Sequence, residues 1–453
     1  MKKKFYITTS IAYTNAPPHI GFALELIQAD VLARFHRLAG NDVFFLTGTD
    51  EHGAKIVKAA KVSGKTPKEF TDEISGKFEN LTKILHLSND DFIRTTDQKR
   101  HWPNVKEVWQ KLKKNGDIYK KEYEGLYCVG CEAFVKEKDL VDGLCPFHQQ
   151  KPEIIKEENY FFRLSKYAGQ VKEKIEKNEI RIVPEGRKNE IINFINQGAE
   201  DVSCSRSKEN LQWGVPVPGD DSQIIYIWFE ALINYLFPKK YWPADVHCVG
   251  KDIFRFHALW WPAMLLSLDL PLPKTIFVHG YITSNGQKMS KSLGNVVDPF
   301  ELVKKYGADA VRYFLLREIP STEDGDFTEE KFKERYNGDL AGGLGNLVAR
   351  VVTLAKNSKT QNPISRSQNG YKKALEEFKF NEALAAIWEL ISLCDKYIET
   401  EKPWQTKDKK VIGSLLSTLA DIADLLKPFM PETSEKILKQ LKSRKSEPLF
   451  PRI

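Results

Sequence analysis

At 453 residues the chain is long enough for two or three domains with substantial cores. Its 42% apolar and 28% charged residues are those of a soluble globular protein, and the absence of any run of about eighteen apolar residues excludes a membrane span. A formal charge of +7 and a pI near 8.8 permit a polyanionic partner without demonstrating one. The start Met1-Lys2-Lys3-Lys4 runs into a strand pattern instead of a signal-peptide apolar segment, so a cytoplasmic location is expected. Six cysteines in so long a chain argue against a disulfide scaffold. Cys128, Cys131 and Cys145 cluster, while Cys204, Cys248 and Cys394 are scattered and are expected to be inert core residues.

The first element is a strand-like run, Phe5 to Ser10, followed by a turn and a periodic helical stretch from about Phe22 to Leu38. His19 and Gly21 therefore stand beside a helix N-terminus, a natural phosphate site. Val43-Phe44-Phe45-Leu46 reads as a buried parallel strand. It carries Gly48-Thr49-Asp50-Glu51-His52-Gly53 at its end, on the edge where doubly wound sheets bind ligands. Asp50 there is a candidate partner for a substrate ammonium. Gly64-Lys65-Thr66 imitates a P-loop, but the leading position is Ala59 and no strand precedes it, so no phosphate loop is expected.

The alternation breaks between Gly116 and Asp221, where paired cysteines, polar segments and turn residues predict an inserted domain. Cys128-x-x-Cys131 and Cys145-x-x-His148 form two tight chelate pairs, and three thiolates with one imidazole suit a closed tetrahedral Zn²⁺ without an open position for chemistry. Sheet-like runs resume at Ile224 to Phe229, Asp245 to Val249 and Thr275 to Ile282, completing a split nucleotide-binding α/β fold. Asn285-Gly286 is a hairpin signal, and it leads to the exposed tract Lys288-Met289-Ser290-Lys291-Ser292. A helical connector begins near Pro299. From about Leu340 the spacing is helical to the end, with Asn357 to Gly370 as an interhelical loop, which predicts an antiparallel bundle.

The tracts Pro17-Pro18-His19-Ile20-Gly21-Phe22 and Lys288 to Ser292 resemble the two signatures of class I aminoacyl-tRNA synthetases, and the residues between them narrow the resemblance to the methionyl-tRNA synthetase family over nearly the whole chain. The resemblance implies a Rossmann-like catalytic domain in halves 1–115 and 223–298, a zinc-bearing connecting domain over 116–222, a connector over 299–339 and an anticodon-binding bundle over 340–453. It implies that His19, Gly21, Lys288 and Lys291 carry adenylate formation. Lys251, Asp252, Ser290 and Ser292 would complete the ATP site, and Mg²⁺ would accompany ATP.

The same resemblance places Ile11, Tyr13, Asp50, Trp228, Ala231, Tyr235, Phe256, His257 and Trp261 around methionine, and an aromatic pocket suits a thioether because sulfur packs well against ring edges. Cys128, Cys131, Cys145 and His148 become a structural zinc knuckle that helps position the acceptor end of tRNA. Asn346, Arg350 and Trp404 match anticodon-reading positions, where an indole, an amide and a guanidinium can hold splayed single-stranded bases. The expected partners are ATP, L-methionine and tRNA(Met), initiator tRNA included. A monomer is expected, since the chain ends soon after the bundle.

Two positions depart from the family pattern. Phe22 stands where a second His or another polar residue is usual, and its ring cannot donate to a phosphate, so adenylation is expected to be slower than with His unless another donor substitutes. Glu230 replaces the usual Asp. Among other functions, related nucleotidyltransferases lack the long helical region. The isoleucine, leucine and valine enzymes carry much longer inserts, and cysteinyl enzymes place zinc at the amino acid itself. A non-catalytic tRNA-binding paralogue draws support only from Phe22.

Overall fold

The computed structural model describes residues 2–128, 130, 133–135, 137–146, 149–289, 294–355, 358–364 and 369–453. Cys131, His148, Ser290, Lys291 and Ser292 of the expected sites lie outside these residues.

The first half alternates strand and helix as the sequence predicts: β1 (Lys4–Thr9), β2 (Ala12–Tyr13), α1 (Ile20–Leu38), β3 (Asp42–Asp50), α2 (Ala54–Val62), α3 (Pro67–Ile84), β4 (Asp91–Arg94) and α4 (Trp102–Lys114). β3 runs well past its apolar core into Thr47 and Thr49. Burial is tolerated there because both hydroxyls are satisfied, Thr47 by Thr9 at 2.7 Å and Thr49 by Ser75 at 2.8 Å. The P-loop imitation is a helix cap: Thr66 Oγ1 accepts from the Glu69 amide and the Glu69 carboxylate from the Thr66 amide, which starts α3.

Next comes an antiparallel sheet of β5 (Ile118–Cys128), β6 (Ala133–Val135) and β7 (Glu153–Phe162), then α5 (Leu164–Glu176), β8 (Arg181–Val183), α6 (Glu185–Asn196) and β9 (Val202–Ser203), which pairs with β7. The expected insert is not continuous, since β8 leaves it to pair in parallel with β14 (below) and α5 to α6 pack into the core under the main sheet. A second small sheet holds β10 (Ser205–Ser207), β11 (Pro216–Val217) and β12 (Asp220–Ile225).

The run Ile224 to Phe229, expected as a main-sheet strand, divides: β12 ends at Ile225 in that small antiparallel sheet and α7 (Ile227–Leu232) begins two residues later. An apolar run buried on every side carries no periodicity to separate strand from helix.

β13 (Val246–Gly250), α8 (Trp261–Ser267) and β14 (Thr275–His279) complete the core. The run to Ile282 also breaks, at Gly280 and Tyr281, because β15 (Ile282–Ser284) turns away to pair with β16 (Gln287–Lys288). The hairpin signal holds there, with φ 53° at Asn285 and 72° at Gly286. The main sheet is parallel throughout, in the order β2-β3-β1-β13-β14-β8, with β4 also on β3. Its order reverses between β1 and β13, the switch point at which such sheets bind ligands.

α9 (Pro299–Tyr306), α10 (Ala308–Arg317), β17 (Gly325–Phe327, paired with β15) and α11 (Glu329–Arg335) lead into a π-helical segment, Tyr336–Gly345. The helices α12 (Asn346–Leu354), α13 (Asn369–Glu376), α14 (Phe380–Glu401), α15 (Pro403–Thr406), α16 (Lys409–Leu426) and α17 (Pro431–Ser443) follow, and their apolar faces merge with those of α1 and α10 in one core. No helix of the described residues is long and apolar enough to cross a membrane.

Candidate active site at the strand ends

His19 is the N-cap of α1, and its Nδ1 accepts from the Gly21 amide at 3.1 Å. That bond leaves Nε2 as the ring's donor, pointing the proton-bearing nitrogen away from its own helix. Burial lowers the His19 pKa, with Asp252 acting in the opposite sense, so the ring is a neutral donor at pH 7. A Cβ on Gly21 would lie 2.9 Å from His19 Cε1 and 3.9 Å from Met289 Cε. A side chain here would displace the folded-back imidazole, so glycine leaves His19 its place on the cap. The same point shows that the two signature tracts meet, and the Ile20 amide donates to the Val297 carbonyl at 3.1 Å just beyond the second tract.

Lys251 Nζ is held by both oxygens of Asp324 at 2.7 Å and lies 4.1 Å from the Tyr281 ring centroid. Lys288 Nζ stands 5.9 Å from that ring, on an exposed strand end. Two lysines thereby flank one tyrosine beside Asp252, whose carboxylate raises the Tyr281 pKa further after burial. Phe22 turns toward α3, with its ring edge-on to Phe78 at 5.0 Å.

Past the end of β13 lies an aromatic cluster. Trp228 of α7 and Phe256 stack at 4.2 Å with 4° between planes, and Phe256 meets Trp260 edge-on. His257 Nδ1 faces the Ile253 carbonyl at 3.0 Å, so it carries the proton, and Nε2 accepts from the Tyr235 hydroxyl at 2.7 Å. Burial lowers the His257 pKa to about 4, keeping the ring neutral. Trp261 packs 6.0 Å from Tyr235, fully buried, with its indole N–H unpartnered among the described residues. Ala231 is buried on α7; Ile11 packs on the cluster around Tyr6, and Tyr13 on clusters of both halves. Of the sequence-named residues, Tyr13, Trp228, Tyr235, Phe256 and Trp261 share one cluster, with His257 bonded to Tyr235, whereas Ile11 packs on the separate cluster around Tyr6.

At the end of β3, Asp50 is 3% exposed and sits beside Tyr13 in the strand register. Its neighbour Glu51 is taken up by Arg94 through two bonds of 2.7 and 2.9 Å. The Glu230 departure has a full set of partners: one oxygen lies 2.7 Å from His52 Nδ1 and the other 2.6 Å from His101 Nε2. His52 and His101 carry no motif of their own. Their signal was only His52 beside Asp50 at a strand end.

Cys128 closes β5 and Cys145 opens a turn in which the Gln149 amide donates to the Cys145 carbonyl at 2.8 Å; both are buried. Far from the sheet, Asn346 and Arg350 occupy one face of α12, with Arg350 Nη1 3.0 Å from Asp395 of α14. Trp404, 46% exposed, opens α15 just past the end of α14.

A parallel sheet with a switch point, a histidine-capped helix start and a lysine hairpin closing on it define a class I adenylate-forming synthetase architecture. A family model described as "tRNA synthetases class I (M)" matches residues 5–151 and 131–352, and one described as "Anticodon-binding domain of tRNA ligase" matches 344–450. The methionine–tRNA ligase of Caldanaerobacter subterraneus subsp. tengcongensis is 46% identical across 97% of this chain and 74% of that protein. That of Bacillus subtilis is 43% identical across 99% and 78%. Mycobacterium tuberculosis methionyl-tRNA synthetase in complex with methionyl-adenylate superposes with a TM-score of 0.90 at 38% identity, covering 96% of this chain and 93% of that one. The chain belongs to the methionine–tRNA ligase family.

Proposed function

We infer that this chain joins methionine to tRNA(Met) in two steps at the edge between β1 and β13. A methionine carboxylate oxygen attacks the α-phosphorus of ATP and pyrophosphate leaves; a terminal ribose hydroxyl of tRNA then attacks the acyl carbon and AMP leaves. The observation that carries this reading is the meeting of His19, Gly21 and Met289, which joins the two signature tracts at the start of α1.

Asp50 pairs with the substrate ammonium, and Tyr235 and His257 of the aromatic cluster have their hydrogen bonds mutually satisfied, so an apolar thioether meets no unpaired donor from either. His19 Nε2 donates to phosphate oxygens as negative charge builds on them. Lys288 and Lys291 neutralise the departing pyrophosphate, with Ser290 and Ser292 as further donors. Lys251 and Asp252 hold the nucleotide, and Mg²⁺ bound to the phosphates supplies additional charge neutralisation.

A zinc ion held by Cys128, Cys131, Cys145 and His148 fits the donor chemistry of the connecting domain. Among the described residues between β6 and β7, Val141 is 58% exposed, while the thiols of Cys128 and Cys145 are buried. Metal ligation supplies the missing stabilisation of such a lobe. About one zinc per chain is expected by mass spectrometry of metals, falling to none in Cys145→Ser. Asn346, Arg350 and Trp404 read the anticodon on the bundle, in the division of domains the sequence suggests. Charging of a tRNA(Met) transcript with radiolabelled methionine tests the whole reading; folded protein that charges no tRNA would overturn it.

A further inference from the structure

His279 closes β14 next to Gly250 of β13 in the strand register, with its ring inside the sheet edge where the nucleotide is placed above. Its Nδ1 lies 2.8 Å from the Gly280 carbonyl oxygen and its Nε2 lies 2.8 Å from Glu25 Oε2. A carbonyl accepts only, so Nδ1 bears a proton. Glu25 Oε1 accepts from both the amide and the hydroxyl of Ser10, at 2.7 and 2.5 Å, the environment of an ionised carboxylate. Nε2 must then donate as well. With acceptors on both nitrogens the ring is an imidazolium, a fixed cation under the switch point, and neither its motif neighbours nor the synthetase signatures include it.

The cation has a second neighbour. The point a Cβ on Gly250 would occupy is 2.8 Å from Asp252 Oδ1 and 3.7 Å from His279 Cε1. The ring is thus bonded to the buried Glu25 of α1 and has the exposed Asp252 carboxylate close by, at the same point beside Gly250. An exposed carboxylate at a triphosphate site is repelled by phosphate and is useful only toward hydroxyl or amine donors of the nucleotide, so it has to be held in place.

We propose that His279 is a positioning residue of the nucleotide site: Glu25 keeps it as an imidazolium, and its charge fixes the Asp252 carboxylate toward the ATP ribose hydroxyls. This rests on the placement of the nucleotide over Asp252. Burial opposes the charge on His279, but the Glu25 hydrogen bond and the Glu25 and Asp252 charges raise its pKa overall. Around the pair, Cys248 and Tyr235 are kept protonated by burial, and His19 and Tyr281 are further rings on which the Asp252 charge acts. A raised pKa means the charge persists to higher pH than on an ordinary histidine and is lost as pH climbs through the raised value.

The test is methionine-dependent exchange of pyrophosphate into ATP from pH 6 to 10 for wild type, His279→Gln, Glu25→Gln and Asp252→Asn. His279→Gln is expected to raise the ATP KM about tenfold with the methionine KM within about twofold. Glu25→Gln is expected to move the rise in ATP KM with pH to lower pH, which a packing role alone would not do. If His279→Gln does not fold, the displaced limb in Glu25→Gln decides. An unchanged ATP KM in His279→Gln, or an unmoved limb in Glu25→Gln, overturns the proposal while Asp252→Asn still impairs ATP. An ATP KM unaffected by Asp252→Asn overturns the nucleotide placement and the proposal with it.

Discussion

Arg312 Nη2 lies 2.7 Å from Asp30 Oδ2, with neither side chain exposed to solvent. The guanidinium also donates to the carbonyls of Leu85, Pro428 and Phe429, so one side chain of α10 ties the signature helix α1 to the turn that precedes α17. Removing one member of a buried pair strands the other, at a cost of about 3–5 kcal/mol. Arg312→Met is expected to lower the denaturation midpoint accordingly. Burial pushes the Asp30 carboxyl up, but Arg312 and Arg34 win and hold it below the ordinary carboxylate range. Its contribution is therefore complete above about pH 4 and is lost as pH falls through the folded-state pKa. Acid titration of Asp30→Asn should show a correspondingly shallower loss.

Glu230 joins His52, next to the strand end that carries Asp50, to His101 at the start of α4 and to the helix that presents Trp228. Glu230→Ala leaves two buried imidazoles without their acceptor, a loss of about 1–3 kcal/mol each way it is counted. The methionine KM should rise about ten- to a hundredfold while the ATP KM stays within about twofold, measured by pyrophosphate exchange. Equal rises in both would place Glu230 in general folding instead of the pocket.

Phe22 packs on Phe78 instead of facing the phosphate edge. Phe22→His frees a ring that can turn toward ATP, and one added donor to developing phosphate charge is worth about 1–3 kcal/mol. Rapid-quench adenylation should accelerate about tenfold. An unchanged rate would mean that position 22 does not limit the step.

Arg350 and Trp404 lie far along the chain from the sheet edge, Arg350 on α12, which joins the shared core, and Trp404 on the short α15. Trp404→Ala removes an exposed indole on which a base can stack, for about 1–3 kcal/mol. kcat/KM for tRNA should fall about ten- to a hundredfold with pyrophosphate exchange unchanged. A parallel fall in exchange would assign the indole to folding.

Local signals carried much of this architecture. His19 caps α1 and Asn285-Gly286 forms its hairpin because each depends on residues within a few positions. The aromatic group of Trp228, Tyr235, Phe256 and His257 was legible only through ordered resemblance, since spacing alone gives aromatics to cores. Ile224 to Phe229 was misread because an all-apolar run has no period, and Arg181 to Val183 is too short a strand to stand out. Glu25 and Asp30 sit at core positions of α1, an anomaly visible in the pattern. Their partners were not visible: His279 is 254 residues from Glu25, and only the fold makes them neighbours.

In the proposed reaction the aromatic cluster selects methionine and Asp50 holds its ammonium. Pyrophosphate exchange into ATP with each of the twenty amino acids, run on wild type and Asp50→Ala, tests it most directly. The account predicts exchange with methionine alone and its near-complete loss in the variant. Exchange driven by another amino acid, or undiminished in Asp50→Ala, would contradict it.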